Sequence, residues 1–163
     1  MRKFVFTAAV ALLGTLGLSA CHHNEQNGTT VEAKATRPTS PTDIQAWQKY
    51  LSQIVEANMG TVTNAPFVYF VPSADVPGEA ATIARVQGQL NDVVAASVLP
   101  GNMVAAGGPS SATTANVLET AFKNAAKGSF KGVVVLFIGD KADEPAVQAA
   151  IEPSGATFKF AQM

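Results

Sequence analysis

Cysteine and histidine are almost missing from this chain: 163 residues contain one Cys and two His. A single thiol makes no internal disulfide and no Cys-rich metal centre. The two imidazoles, His22 and His23, sit beside Cys21 near the amino end. Everything beyond them is without histidine or cysteine, which excludes the Ser-His and Cys-His pairs that activate nucleophiles. Charge is sparse as well, at 14% of residues with a formal net charge of −1 and a pI of about 6.1. The attraction to phosphate on which basic nucleic-acid binders depend is therefore lacking, and no nucleic-acid partner is expected. No apolar run reaches the about 20 residues that span a bilayer core. Gly and Pro are neither scarce nor abundant, at 13 and 9 residues, which excludes a collagen-like or low-complexity chain. What remains is 47% hydrophobic, enough for one modest globular domain.

The amino end has the layout of an export signal. Met1-Arg2-Lys3 is cationic, and Phe4 to Leu18 is an uncharged, mostly apolar run broken only by Thr7, Gly14, Thr15 and Gly17. It is short for a permanent membrane helix and suited to a signal-peptide core. Leu18-Ser19-Ala20-Cys21 follows. This tetrad resembles the lipobox of bacterial lipoproteins, a Leu three places before Cys with two small residues between. The resemblance covers residues 1 to 21 and implies a diacylglyceryl group on the Cys21 thiol, cleavage between Ala20 and Cys21, and acylation of the new amino group. Several acyl chains hold a protein on a membrane far more firmly than one. Read as an ordinary secretory cleavage site instead, the same residues would leave a reactive unpaired thiol at the mature end. By the sorting habit of Gram-negative lipoproteins, Asp after the acylated Cys favours the inner membrane; His22 stands there here, which implies the outer membrane.

His22 to Ser40 contains one large aliphatic residue, Val31, among Asn, Gln, Thr, Glu and Lys. Such a stretch buries too little apolar surface to offset its ordering entropy. Residues 1–20 are thus expected to be a signal peptide, 21–40 a flexible tether spanning about 25 Å as a coil, and 41–163 the folded domain. His22 and His23 lack the further ligands of a specific metal site, and no metal or cofactor is expected anywhere in the chain. Cleavage also removes Arg2 and Lys3, leaving 9 basic against 12 acidic residues, a net of −3.

From Pro41 onward, helical and extended signals alternate. Thr42 and Gln45 have the spacing of a capping box, with Ile44, Trp47, Leu51, Ile54 and Val55 on one face of a helix ending near Asn58. Phe67 to Val71, bounded by Pro66 and Pro72, has the composition of a buried strand. Ile83, Val86, Leu90, Val93, Val94 and Val98 predict an amphipathic helix closed by Pro100-Gly101. Asn102 to Ala106 is a short strand, and Gly107 to Ser111 turns into a helix carrying Val117, Leu118, Ala121, Phe122 and Ala125, ended by Gly128. Val133 to Ile138, six apolar residues without alternation, predicts a strand covered on both faces at the sheet's centre. Asp143-Glu144-Pro145 starts a last helix to about Ile151. Ala156 to Ala161 alternates, as an edge or one-sided strand does.

The fold class is α/β: a three-layer sandwich with a four-stranded, mostly parallel sheet, β-α-β-α-β-α-β, preceded by an N-terminal helix. The expected strand order is 2-1-3-4, with an antiparallel last strand as the alternative. In such sheets ligands collect beyond the carboxyl ends of the strands, and the polar residues there are Ser73, Asp75, Gly107, Gly108, Ser110, Ser111 and Asp140. Ser110 and Ser111 open a helix whose free amides suit an anion, and two glycines allow close backbone approach. The same residues also serve as a cap and a turn, and neither the P-loop nor the dinucleotide fingerprint is present. Asp75 and Asp140 are the only candidate carboxylate pair, and Lys141 the nearest base for a serine. No catalytic or metal-binding set is assigned.

The functional expectation is an outer-membrane-anchored periplasmic lipoprotein whose domain binds another envelope protein without catalysis, as an accessory or immunity-type factor. A small-ligand or anion receptor at the strand ends is the alternative, and a hydrolase using Asp75 and Asp140 is third. Trp47 and Tyr50 fit either a partner anchor or the packing of the first helix onto the sheet.

Overall fold

The computed structural model describes residues 36–163. The expected signal peptide (residues 1–20) with its lipobox, Cys21, His22-His23 and the tether up to residue 35 lie outside the described residues. The described residues belong to one compact unit.

Helix α1 (Ile44–Asn58) starts at Asp43, whose carboxylate accepts the Ala46 amide at 3.0 Å. Asp43, rather than Thr42, is therefore the cap. Trp47, Leu51 and Val55 follow at intervals of four and are buried with Tyr50. Strand β1 (Phe67–Phe70) precedes α2 (Ala80–Ala96), which buries Val86, Leu90 and Val94 and stops at Ser97 with φ 60°. Strand β2 (Met103–Gly107) leads to α3 (Ser111–Phe122), which ends well before Gly128. Strand β3 (Val134–Gly139), α4 (Glu144–Ile151), a 3₁₀ turn (Glu152–Ser154) and β4 (Thr157–Gln162) complete the chain.

The sheet is four-stranded, wholly parallel, and ordered β1-β2-β3-β4. This corrects the expected 2-1-3-4 order and settles the last strand as parallel. The physical reason lies in α1. Right-handed crossovers that all step the same way place their helices on one face, and α2, α3 and α4 share one core with Val104, Ala106, Val135 and Phe137. The other face is left for α1, whose Trp47, Leu51 and Val55 pack against Met103, Ala105, Leu136 and Ile138. Had α1 been missing, one crossover helix would have been needed on that side. Each of those fully buried α1 side chains contributes roughly 1.5–3 kcal/mol, so a single helix is enough to hold the layer.

Strands β2 and β3 are buried along their whole length, as the run Val133 to Ile138 predicts. Strand β1 is not, and its expected burial is corrected. Phe67 and Val68 are 44% and 41% exposed because β1 borders the sheet; strand alternation puts Val68 on the α1 face with Phe70 and Phe67 on the opposite face with Tyr69, and α1 slants away from Val68. The helix starts over the ends of β1 and β2 and finishes where the Asn58 carbonyl accepts from Lys159 of β4 at 2.7 Å. The lower half of β1 lies outside its cover.

Candidate functional site

The polar residues predicted at the strand ends do gather at one end of the sheet, but mostly in partnership with their own neighbours. Ser73, buried after β1, donates to Asp75 Oδ2 at 3.2 Å and accepts the Asp75 amide at 3.2 Å. This is a turn closing on itself. Ser110 caps α3, its hydroxyl oxygen accepting the Thr113 amide at 3.2 Å and lying 2.9 Å from Thr113 Oγ1. Thr113 Oγ1 in turn accepts the Ala74 amide at 3.3 Å, tying the loop after β1 to α3. Ser111, also buried, donates to Asp143 Oδ2 and accepts the Asp140 amide at 2.7 Å. It thereby stitches the start of α3 to the loop after β3.

The two glycines are required by the fold. A Cβ on Gly107 would lie 2.6 Å from Leu51 Cδ2 and 2.9 Å from Ile138 Cβ, and one on Gly108 would lie 1.9 Å from the Val71 carbonyl oxygen. Their small size lets α1 reach β2 and lets β1 dock beside it. That accounts for both residues without a ligand.

Asp75 and Asp140 do not form a pair. They follow β1 and β3, which β2 separates, so two strand spacings of roughly 5 Å each stand between them. Asp75 is held by Ser73, while Asp140 lies 3.7 Å from the Arg37 guanidinium. Lys141 is engaged with Glu144 and lies 5.3 Å from the centre of the Phe160 ring. No cluster of metal-ligating side chains occurs among the described residues. Without a reversal of strand order the sheet also lacks the switch-point crevice in which doubly wound folds bind ligands.

Arg37 is the residue that sequence reasoning missed. Assigned to the tether, it lies instead against the domain with Pro38 and Thr39, where they border a groove of about 550 Å³ shared with Trp47, Ser73 and Asp75. Trp47 Nε1 fixes this segment by donating to the Ser40 carbonyl at 2.9 Å. Trp47 itself is buried, as its phase with Leu51 predicts. A second groove of about 590 Å³ runs between α1 and β4, bordered by Arg37, Tyr50, Ile54, Ala57, Ala161 and Met163. Burial raises the pKa of Tyr50 above its ordinary value, and Arg37 offsets part of that rise; burial alone raises Tyr69.

A third groove, of about 420 Å³, follows the β1 side, lined by Ile44, Phe70, Pro72, Val86, Glu79 and Arg85 among others. Ile44 is 48% exposed and shares this groove with Phe70 and Pro72. Among the described residues, the only other large apolar side chain as open to solvent is Leu99. Comparison of the chain with protein-family models, with curated proteins and with solved structures finds no match.

Proposed function

We propose that this chain is a lipid-anchored protein of the Gram-negative outer membrane whose periplasmic α/β domain binds another envelope protein and carries out no catalysis. The observation that carries the reading is the β1 border, where Ile44, Phe67 and Val68 are the exposed apolar side chains and a groove lined by Ile44, Phe70, Pro72, Glu79 and Arg85 combines apolar with charged groups. Apolar side chains together with charged ones are the usual make-up of a protein-protein contact. The commitment of Ser73, Asp75, Ser110 and Ser111 to caps and turns also favours binding over chemistry. The anchor rests on Leu18-Ser19-Ala20-Cys21 and on His22 after it.

The test has two parts. Mass spectrometry of the protein from its native host is expected to find an acylated amino end at Cys21; an intact or unmodified amino end overturns the anchor. Mild crosslinking in envelope extracts is expected to give one stoichiometric complex that Val68→Asp abolishes while the circular dichroism of the domain stays unchanged. A complex indifferent to Val68→Asp, or none at all, overturns the binding surface.

A second reading is favoured by the groove that brings Arg37 and Asp75 together beside Ser73. Opposite charges at one opening suit a small polar ligand with an anionic group. Thermal-shift screening of sugars, nucleotides and anions is expected to show a rise in Tm for at least one class that Arg37→Ala removes. Silence across the panel rejects this reading.

A further inference from the structure

We infer that the outer edge of β4 is the pairing site for a second copy of this chain, the two β4 strands running antiparallel so that two four-stranded sheets join into one of eight strands. The argument starts from which backbone groups are in use. Thr157 donates to the Val133 carbonyl at 2.8 Å and Met163 to the Gly139 carbonyl at 3.1 Å. Strand alternation then directs the odd-numbered residues toward β3 and leaves the N–H and C=O groups of Phe158, Phe160 and Gln162 facing outward. Three donors and three acceptors stand along six residues, and the strand contains neither proline nor bulge.

The opposite edge is built differently. Val71 donates to the Gly107 carbonyl at 2.9 Å, so Val68 and Phe70 face outward on β1, and the next outward positions on either side are Pro66 and Pro72. Proline offers no N–H, and prolines at such positions blunt an edge against strand addition. Strand β1 is closed after two donors; β4 is open along its length.

A two-fold axis at Phe160 satisfies that open edge completely. It sets Phe160 against Phe160 of the second copy and Phe158 against Gln162, giving six hydrogen bonds that use every outward donor and acceptor of both strands. An aromatic pair falls at the centre, a favourable cross-strand combination. Lys159 stands opposite Ala161, and its ammonium is already turned onto the Asn58 carbonyl at 2.7 Å, away from the seam. The same rotation brings the two grooves between α1 and β4 side by side, each lined by Tyr50, Ile54 and Ala57 with Arg37 at its border. Six strand residues extend about 20 Å and three layers about 30 Å across. The contact therefore removes about 600 Å² per copy, or about 1,200 Å² in all, the lower limit for a specific interface.

Sedimentation equilibrium tests this without any envelope component, so its outcome is separate from that of the β1 surface. Both the full chain in detergent and the compact unit, residues 36–163, are used. The expected result is reversible dimerisation, weakened at least ten-fold by Gln162→Pro, which removes an outward N–H and no bond to β3, and unaffected by Val68→Lys on the other edge. Hydrogen exchange of the unmodified protein gives a reading that needs no variant. The amides of Phe158, Phe160 and Gln162 are expected to gain protection as concentration rises, while those of Val68 and Phe70 do not. A chain that stays monomeric at high micromolar concentration, a dimer lost on Val68→Lys and kept on Gln162→Pro, or protection that appears at Val68 and Phe70 instead, overturns the inference.

Discussion

The two border strands, β1 and β4, do opposite things with the aromatic residues they share. Each carries two phenylalanines, yet β1 is short, flanked by prolines and half open to solvent, whereas β4 is longer, free of proline, and sinks Phe158 and Phe160 against the three-helix core. The difference teaches that an apolar strand at a border can be protected in two ways. Strand β1 shows its side chains and denies backbone donors; β4 hides its side chains and leaves the donors free. Under the two proposals above, a partner that recognises side chains would bind at β1 and one that recognises backbone at β4.

The largest test of this contrast is Gly108→Ala. A methyl group there meets the Val71 carbonyl, so β1 must move away from β2, and the loss of stability is expected to be about 3 kcal/mol, measured by urea denaturation. A loss under about 0.5 kcal/mol, the scale of a neutral surface change, would mean that β1 is not docked this closely. Next comes a matched pair of truncations. Phe160→Ala, with its ring 5.9 Å from that of Phe137, is expected to cost about 2 kcal/mol, less than the full burial value. Phe67→Ala on β1 is expected to cost about 0.5 kcal/mol. Equal losses would erase the distinction between the borders.

Lys159→Met is smaller still. It removes the bond to the Asn58 carbonyl that ties α1 to β4 while keeping most of the aliphatic stem, and an effect of about 1 kcal/mol is expected. No effect would show that the tie is dispensable. The subtlest measurement is alkaline titration followed by tyrosinate absorbance. Tyr69 on β1 and Tyr50 beside β4 both have pKa values raised by burial, so folding favours their neutral forms. Their stabilising contribution is complete below the unfolded tyrosine pKa of about 10 and is lost as pH rises through the folded values. Arg37→Ala is expected to move Tyr50 further upward and leave Tyr69 in place. Equal movement of both, or of neither, would dissociate Arg37 from the β4 side.

The helices were legible because their chemistry is local. Val86, Leu90 and Val94 fall four apart, and the same residues are the buried stripe of α2. The β3 run was legible because six apolar residues without alternation leave no face for water. Phe67 to Phe70 deceived for the same reason: an apolar run signals burial, and only its place at the sheet border exposes it. Of the strand-end residues, the Ser73-Asp75 turn lies within two positions and is visible in the spacing. The bonds from Ser111 to Asp143 and to the Asp140 amide join positions 32 and 29 apart, and nothing local announces them. Arg37 was hidden by its company, since a polar stretch gives no sign that its last residues lie on the domain.

Alone, the amino-acid order determined the α/β class, the alternation of strands with helices, and a mostly parallel sheet, because helical crossovers return each strand in the same direction; the direction of the last strand was decided by the fold. Tertiary structure alone decided the order β1-β2-β3-β4, which strands became borders, and which glycines became indispensable. Those outcomes depend on how α1 and the three crossover helices divide the two faces of one sheet, a competition among surfaces far apart in the chain that no short stretch of residues encodes.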